Sequence, residues 1–163
     1  MNRPLLGVAV ALAGLVALSG CTPTVSMTPS PAATDPACAA VVVRLPQSLG
    51  AAQRRETDAQ GTAAWGDPPA VTLSCGVTPP GPTTDFCVSI GGVDWIERDL
   101  PNAQHPVQYV LRTYGRTPAT QVVIEAKRIS SADVLPALSD AVVAAIPTAS
   151  RHCAAAPSPS VSP

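Results

Sequence analysis

Cys38, Cys75, Cys87 and Cys153 are spread along most of the chain. If they pair with one another, they limit its possible folds more than any other feature does. A fifth cysteine, Cys21, makes the count odd, so one sulfur must stand apart. Cys21 ends a segment of distinct character. Met1-Asn2-Arg3 is a short positive start, Leu5 to Leu18 (LLGVAVALAGLVAL) is uncharged and apolar, and Ser19-Gly20 are small. A positive end, an apolar run and small residues before a cut make an export signal. Its apolar part is shorter than the ~20 residues of a membrane span.

Leu18-Ser19-Gly20-Cys21 resembles the bacterial lipoprotein lipobox. The resemblance implies that residues 1–20 are a signal peptide and that Cys21 is the lipidated residue and new N-terminus. A diacylglyceryl group with palmitate-type chains would then anchor the protein on the extracytoplasmic face of the cell membrane. Two acyl chains hold stably where one does so only marginally, at roughly 0.8 kcal/mol per buried methylene. Setting Cys21 aside leaves an even set of cysteines in an oxidising compartment. Four cysteines allow three pairings. We expect Cys75–Cys87, closing a short loop between two strands, and Cys38–Cys153, joining the two ends of the folded region. No C-x-x-C pair occurs, and His105 and His152 lie at no usual ligand spacing. We therefore expect no metal and no cofactor.

Residues 22–34, TPTVSMTPSPAAT, lack periodicity, so 21–35 reads as a lipidated cysteine followed by a flexible tether. Fully stretched as polyproline II it would reach about 40 Å. Residues 154–163 have the same character and read as a disordered tail, leaving one domain over 36–153. That domain opens with Asp35-Pro36, an N-cap residue before a proline at the first helical position. Residues 54–57 suggest a short strand, and Val71, Leu73 and Cys75 alternate with polar neighbours, as a half-buried strand does. FCVSI, Gly91-Gly92 and VDWIER read as a tight hairpin. A second hairpin runs from Val107 to Glu125 around Gly115-Arg116-Thr117-Pro118. The last element, DVLPALSDAVVAAI, carries an apolar helical stripe, with Asp133 as cap and Pro136 in the first turn. The expected fold is α+β: an antiparallel sheet with an N-terminal and a C-terminal helix on one face, stapled by disulfides.

Aromatic residues make up only 3% of the chain, so the core must rest on Val, Leu, Ile and Ala. The net charge is −1, and loss of residues 1–20 removes Arg3 and leaves −2. That balance offers nucleic acid no electrostatic footing. Nucleophile-elbow, zincin, phosphate-loop and dinucleotide motifs are all missing from the sequence. Four residues stand out as candidate binding groups. Trp65 and Asp67 lie in the stiff stretch WGDPP, where a ring could stack on a sugar or peptide beside an acceptor, although a core lid explains the ring more simply. Tyr114 and Arg116 lie at a strand end, where an arginine can clamp a carboxylate or phosphate, although such an arginine is more often solvated or paired locally with an acid. Asp94 lies between Val93 and Trp95 and reads as a surface carboxylate. Paired with Asp67 or Glu97 in a groove it would suit acid/base hydrolysis.

WGDPP, Cys75-Gly76-Val77, Gly92-Val93-Asp94-Trp95, Thr113-Tyr114-Gly115-Arg116 and VLPALSDAV together resemble an actinobacterial family of exported proteins, the domain-of-unknown-function family numbered 3515. The resemblance covers roughly Cys38 to Cys153. It implies a small cell-envelope domain and brings no catalytic residues with it. The expected role is therefore non-catalytic: binding an envelope component or a protein partner. The rival reading is a cell-wall hydrolase with paired carboxylates.

Overall fold

The computed structural model describes residues 23–99 and 108–154. The signal segment, Cys21, His105 and the expected tail from 155 onward lie outside them. The first helix, α1 (Pro36–Val42), begins as its sequence requires: the Asp35 carboxylate accepts from the Ala37 N–H at 2.8 Å, ahead of Pro36. Eight strands follow among the described residues: β1 (Ser48–Leu49), β2 (Ala52–Arg55), β3 (Thr62–Trp65), β4 (Val71–Val77), β5 (Cys87–Ile90), β6 (Val93–Asp99), β7 (Gln108–Thr113) and β8 (Ala119–Glu125). The last element is α2 (Ser131–Ala145).

The strands form one antiparallel sheet in the order β1-β2-β3-β4-β8-β7-β6-β5. Two four-stranded meanders thus meet at the β4–β8 pair. The Gly91-Gly92 hairpin forms as expected. Ile90 faces Val93, and the two glycines take φ of 57° and 74°, the left-handed values a two-residue turn needs. Strand alternation then builds the core. Val71 stands opposite Ile124, and Leu73 opposite Val122, which also faces Leu111. These residues cluster with Trp65, Val93 and Trp95, with Cys38 and Val41 of α1, and with Val134, Leu135, Leu138, Ala141 and Val142 of α2. Each large side chain so buried contributes about 1.5–3 kcal/mol. The helices pack on each other, α1 also on β4, and α2 also on β1, β5 and β6. The fold is α+β with an antiparallel sheet.

Several expectations need correction. The cap of α2 is Ser130, whose hydroxyl accepts from the Ala132 N–H at 3.2 Å, while Asp133 lies inside the first turn. Pro136 consequently falls within the helix and not in its first turn.

The disulfides are Cys38–Cys75, with Cα atoms 5.4 Å apart, and Cys87–Cys153, with Cα atoms 6.0 Å apart. The expected Cys75–Cys87 and Cys38–Cys153 pairs are both wrong, for one reason. β4 and β5 are consecutive in sequence, but β8, β7 and β6 lie between them in the sheet. Four strand spacings of about 4.8 Å put them about 19 Å apart, far beyond a cystine's usual Cα separation of about 4.4–6.8 Å. Cross-links closing loops of 37 and 66 residues are each worth about 4 kcal/mol on the chain-entropy estimate.

The expected tether is largely docked. Val25 forms a parallel bridge with Thr57, its N–H donating to Glu56 O at 2.9 Å. The Met27 N–H donates to Asp58 Oδ1 at 2.8 Å, and the Ala32 N–H to Gly76 O at 3.0 Å. Ala33 is buried. The last contact needs a glycine. Gly76 has φ of +89°, and a Cβ there would stand 2.3 Å from the Ala32 carbonyl carbon. Gly76→Ala should therefore cost more than about 1 kcal/mol in chemical denaturation and raise hydrogen exchange over residues 25–33. Unchanged exchange there would show that the segment is not held by this contact. Non-reducing peptide mapping should recover Cys38 with Cys75 and Cys87 with Cys153.

Candidate functional site

Two polar regions lie at opposite ends of the strand order. The first surrounds the turn after β3. Trp65 itself is fully buried in β3, its Nε1–H donating to Pro46 O at 3.0 Å. It has no face to offer a ligand, so it drops out as a candidate binding group and takes the core position that was the simpler reading. Asp67 is 69% exposed and pairs with Arg55 at 3.0 Å. The Arg55 side chain is only 7% exposed. Its Nη1 donates to Gly66 O at 3.1 Å and its Nη2 to Pro23 O at 2.6 Å, while its buried Nε has no partner. A groove of about 610 Å³ opens here, lined in part by Gln53, Arg55, Glu56, Asp67 and Arg128.

The second region centres on Asp94. Alternation along β6 turns Val93 and Trp95 into the core and Asp94 to the other face, as expected. Asp94 is nevertheless buried, because the segment after α2 returns across that face. The Ser150 N–H donates to Gly115 O at 2.7 Å, and Cys153 is bonded to Cys87. Asp94 Oδ1 accepts from the Ser89 hydroxyl. Its Oδ2 meets His152 Nδ1 at 3.0 Å and the Cys153 N–H at 3.1 Å. Burial pushes the Asp94 carboxyl up, but the bonds from Ser89, Cys153 and His152 outweigh burial and hold it below its usual range.

Arg116 is a structural residue, neither the candidate clamp nor a solvated surface arginine. It is 3% exposed and donates from Nη1 to Ile146 O, at the end of α2, and from Nη2 to Gly92 O at 2.7 Å. Burial pushes its guanidinium down from the usual range, opposed by the charge on Asp94. Tyr114 is half-buried beside this centre and lines a cleft of about 410 Å³ with Thr83, Asp85, Ile96 and His152. Of the four candidate residues, Asp67 and Tyr114 thus reach solvent-accessible grooves, at different ends of the sheet. Sequence reasoning gave no role to Ser89, His152, Arg55 or Arg128. Only the fold brings Ser89 and His152 to one carboxylate, and an Arg-Arg pair is the sole local sign of the first groove.

Neither region has hydrolytic geometry. β4, β8 and β7 lie between β3, which leads to Asp67, and β6, which carries Asp94. Four spacings make about 19 Å, against about 5–9.5 Å for cooperating carboxylates. Asp94 and Glu97 are three residues apart on one strand and so point to opposite faces. Ser89, Asp94 and His152 do not make a nucleophile triad either. There the histidine bridges serine and aspartate, whereas here the aspartate lies between serine and histidine. Among the described residues no three His, Cys, Asp or Glu side chains gather to hold a metal.

The Asp94 centre has a definite pH signature. A carboxyl that titrates lower in the folded chain than in the unfolded one stabilises above the unfolded value of about 3.9, and that contribution is lost as the pH falls through the folded value. Asp94→Asn should lower unfolding free energy by about 1–3 kcal/mol at neutral pH, and the gap to wild type should close in acid. An unchanged gap in acid would show that the charge is not what matters.

No curated protein and no solved structure matches the chain significantly. A family model does match, over residues 4–151, so the matched region takes in the apolar run and Cys21 as well as all but the last two residues of the 36–153 region. The chain belongs to the family described as protein of unknown function DUF3515.

Proposed function

We propose that this protein is a lipid-anchored, non-catalytic binding module on the outer face of the cytoplasmic membrane. The observation that carries the reading is the use of the sulfurs. Cys38, Cys75, Cys87 and Cys153 are all consumed in two disulfides, so Cys21 takes part in neither. Two disulfides suit an oxidising compartment, and a lone cysteine after Leu-Ser-Gly suits lipidation. The family match from residue 4 supports the leader as part of the same protein type.

The cleft beside Tyr114 is the best candidate for engaging an envelope component or a protein partner. Its volume of about 410 Å³ falls in the range of small-ligand sites, about 300–1,000 Å³. His152, 73% exposed, stands at its edge, and the loop over it ends in Phe86, which is 68% exposed. The cleft borders β5 and β6, at the far end of the strand order from β2.

The wild-type protein should fractionate with membranes and carry a diacylglyceryl mass on its N-terminal peptide. Cys21→Ala should abolish both, and continued membrane partitioning of that variant would refute the anchor. A photo-crosslinker at Thr84 should capture a defined component in intact cells, and one at Arg44 should not. Equal capture from both positions would remove the cleft from consideration.

A further inference from the structure

The docked N-terminal segment fixes which surface of the domain would meet the lipid. This inference rests on the anchor proposed above. Pro23 is two residues from Cys21, a reach of at most about 7 Å. Its carbonyl accepts from Arg55 Nη2 at 2.6 Å. Beyond it, Val25 and Met27 are bound to residues 56–58, so slack is taken up where the chain meets β2. The Arg55 guanidinium would then lie within about 10 Å of Cys21, comparable to the Debye length of about 8 Å at physiological salt.

The groove beside Arg55 and the hollow next to it carry a small cationic excess. The Arg55 side chain is more than nine-tenths buried, and its Nε–H lacks a partner. Arg128 lines the same groove, exposed, with Nη1 donating to Pro68 O. It also borders an adjoining hollow of about 650 Å³, where Lys127 is exposed and held in no ion pair among the described residues. Facing acids are Glu56, Asp67 and Asp133, and Arg54 is the fourth cation, its guanidinium turned to Val42 O and Leu45 O. Four cations against three acids leave +1 here, on a mature chain of −2. Asp67 is already paired with Arg55, so Lys127 and Arg128 are the cations open to an incoming anion.

We propose that this surface rests on the bilayer and that Arg128 and Lys127, beside Arg55, bind phosphates of anionic phospholipid headgroups. Arginine suits phosphate through paired N–H donors, and lysine adds a point charge. The arrangement would hold the domain in one orientation, with the β2 side toward lipid.

Lys127 is the only lysine in the chain, so amine acylation followed by peptide mapping reads this surface at one position. The full-length lipidated protein is placed in nanodiscs of phosphatidylglycerol with phosphatidylcholine, in nanodiscs of phosphatidylcholine alone, and in neutral detergent micelles. Labelling of Lys127 should slow several-fold in the anionic nanodiscs only, and high salt should reverse the effect. Arg128→Glu should restore the fast rate, whereas Arg151→Glu should not. Equal rates in all three settings overturn the proposal. So does equal protection by inorganic phosphate in phosphatidylcholine nanodiscs, which would assign the groove to the free ion. The mass of the N-terminal peptide is read in the same sample. A diacylated Cys21 with equal labelling rates defeats this proposal alone, and an unmodified Cys21 defeats both.

Discussion

The pairing of β4 with β8 joins two meanders that would otherwise be separate hairpin stacks, and other attachments converge on the same strand. Leu73 faces Val122 and Val71 faces Ile124 across that pair, at the centre of the core. Cys75 ties β4 to α1, and Gly76 lets the backbone around Ala32 come close enough to bond. A sheet residue, a cystine and a glycine in succession thus hold the sheet, the first helix and the N-terminal segment together. Few aromatic side chains are available, so this stapling supplements a core made mainly of branched aliphatic residues.

The two disulfides do different mechanical work. Cys38–Cys75 is fully buried and locks α1 onto the middle of the sheet. Cys87–Cys153 is only half-buried and ties the segment after α2 to β5, near one sheet edge. That segment converts Asp94 from a surface carboxylate into a buried hub for Ser89, His152 and the Cys153 amide. Arg116 complements it by donating to the end of α2 and to the Gly91-Gly92 turn at once. The polar cluster that most resembles a catalytic centre therefore works as a clasp. Its carboxylate already accepts three hydrogen bonds, two of them on Oδ2.

In the functional reading these attachments divide the molecule. The N-terminal segment docks beside β2, next to the Arg55 groove, while the Tyr114 cleft opens at the other end of the strand order. A domain anchored through Cys21 would then turn one end toward lipid and leave the other accessible to envelope components. A docked segment differs physically from a free tether. It trades reach for orientation, because each backbone bond along residues 25–32 removes a degree of freedom from the linkage.

Much of the local architecture was legible in the residues. Asp35-Pro36 capped a helix, Gly91-Gly92 turned a hairpin, and the alternation of Val71, Leu73 and Cys75 marked a strand buried on one side. Each of these is written in neighbouring positions, since caps, tight turns and strand period depend on a few consecutive residues. The expectation for Cys21 is of the same kind, because a linear motif needs no fold to be read. β1 and β3 escaped notice, the first for its length of two residues and the second because TAAW carries no alternation. The cystine partners, the burial of Trp65, Asp94 and Arg116, and the docking of residues 25–33 were settled only by tertiary structure. All of them follow from which strands become neighbours and which segments cover the sheet. Those contacts join residues far apart in sequence, and no local spacing encodes them.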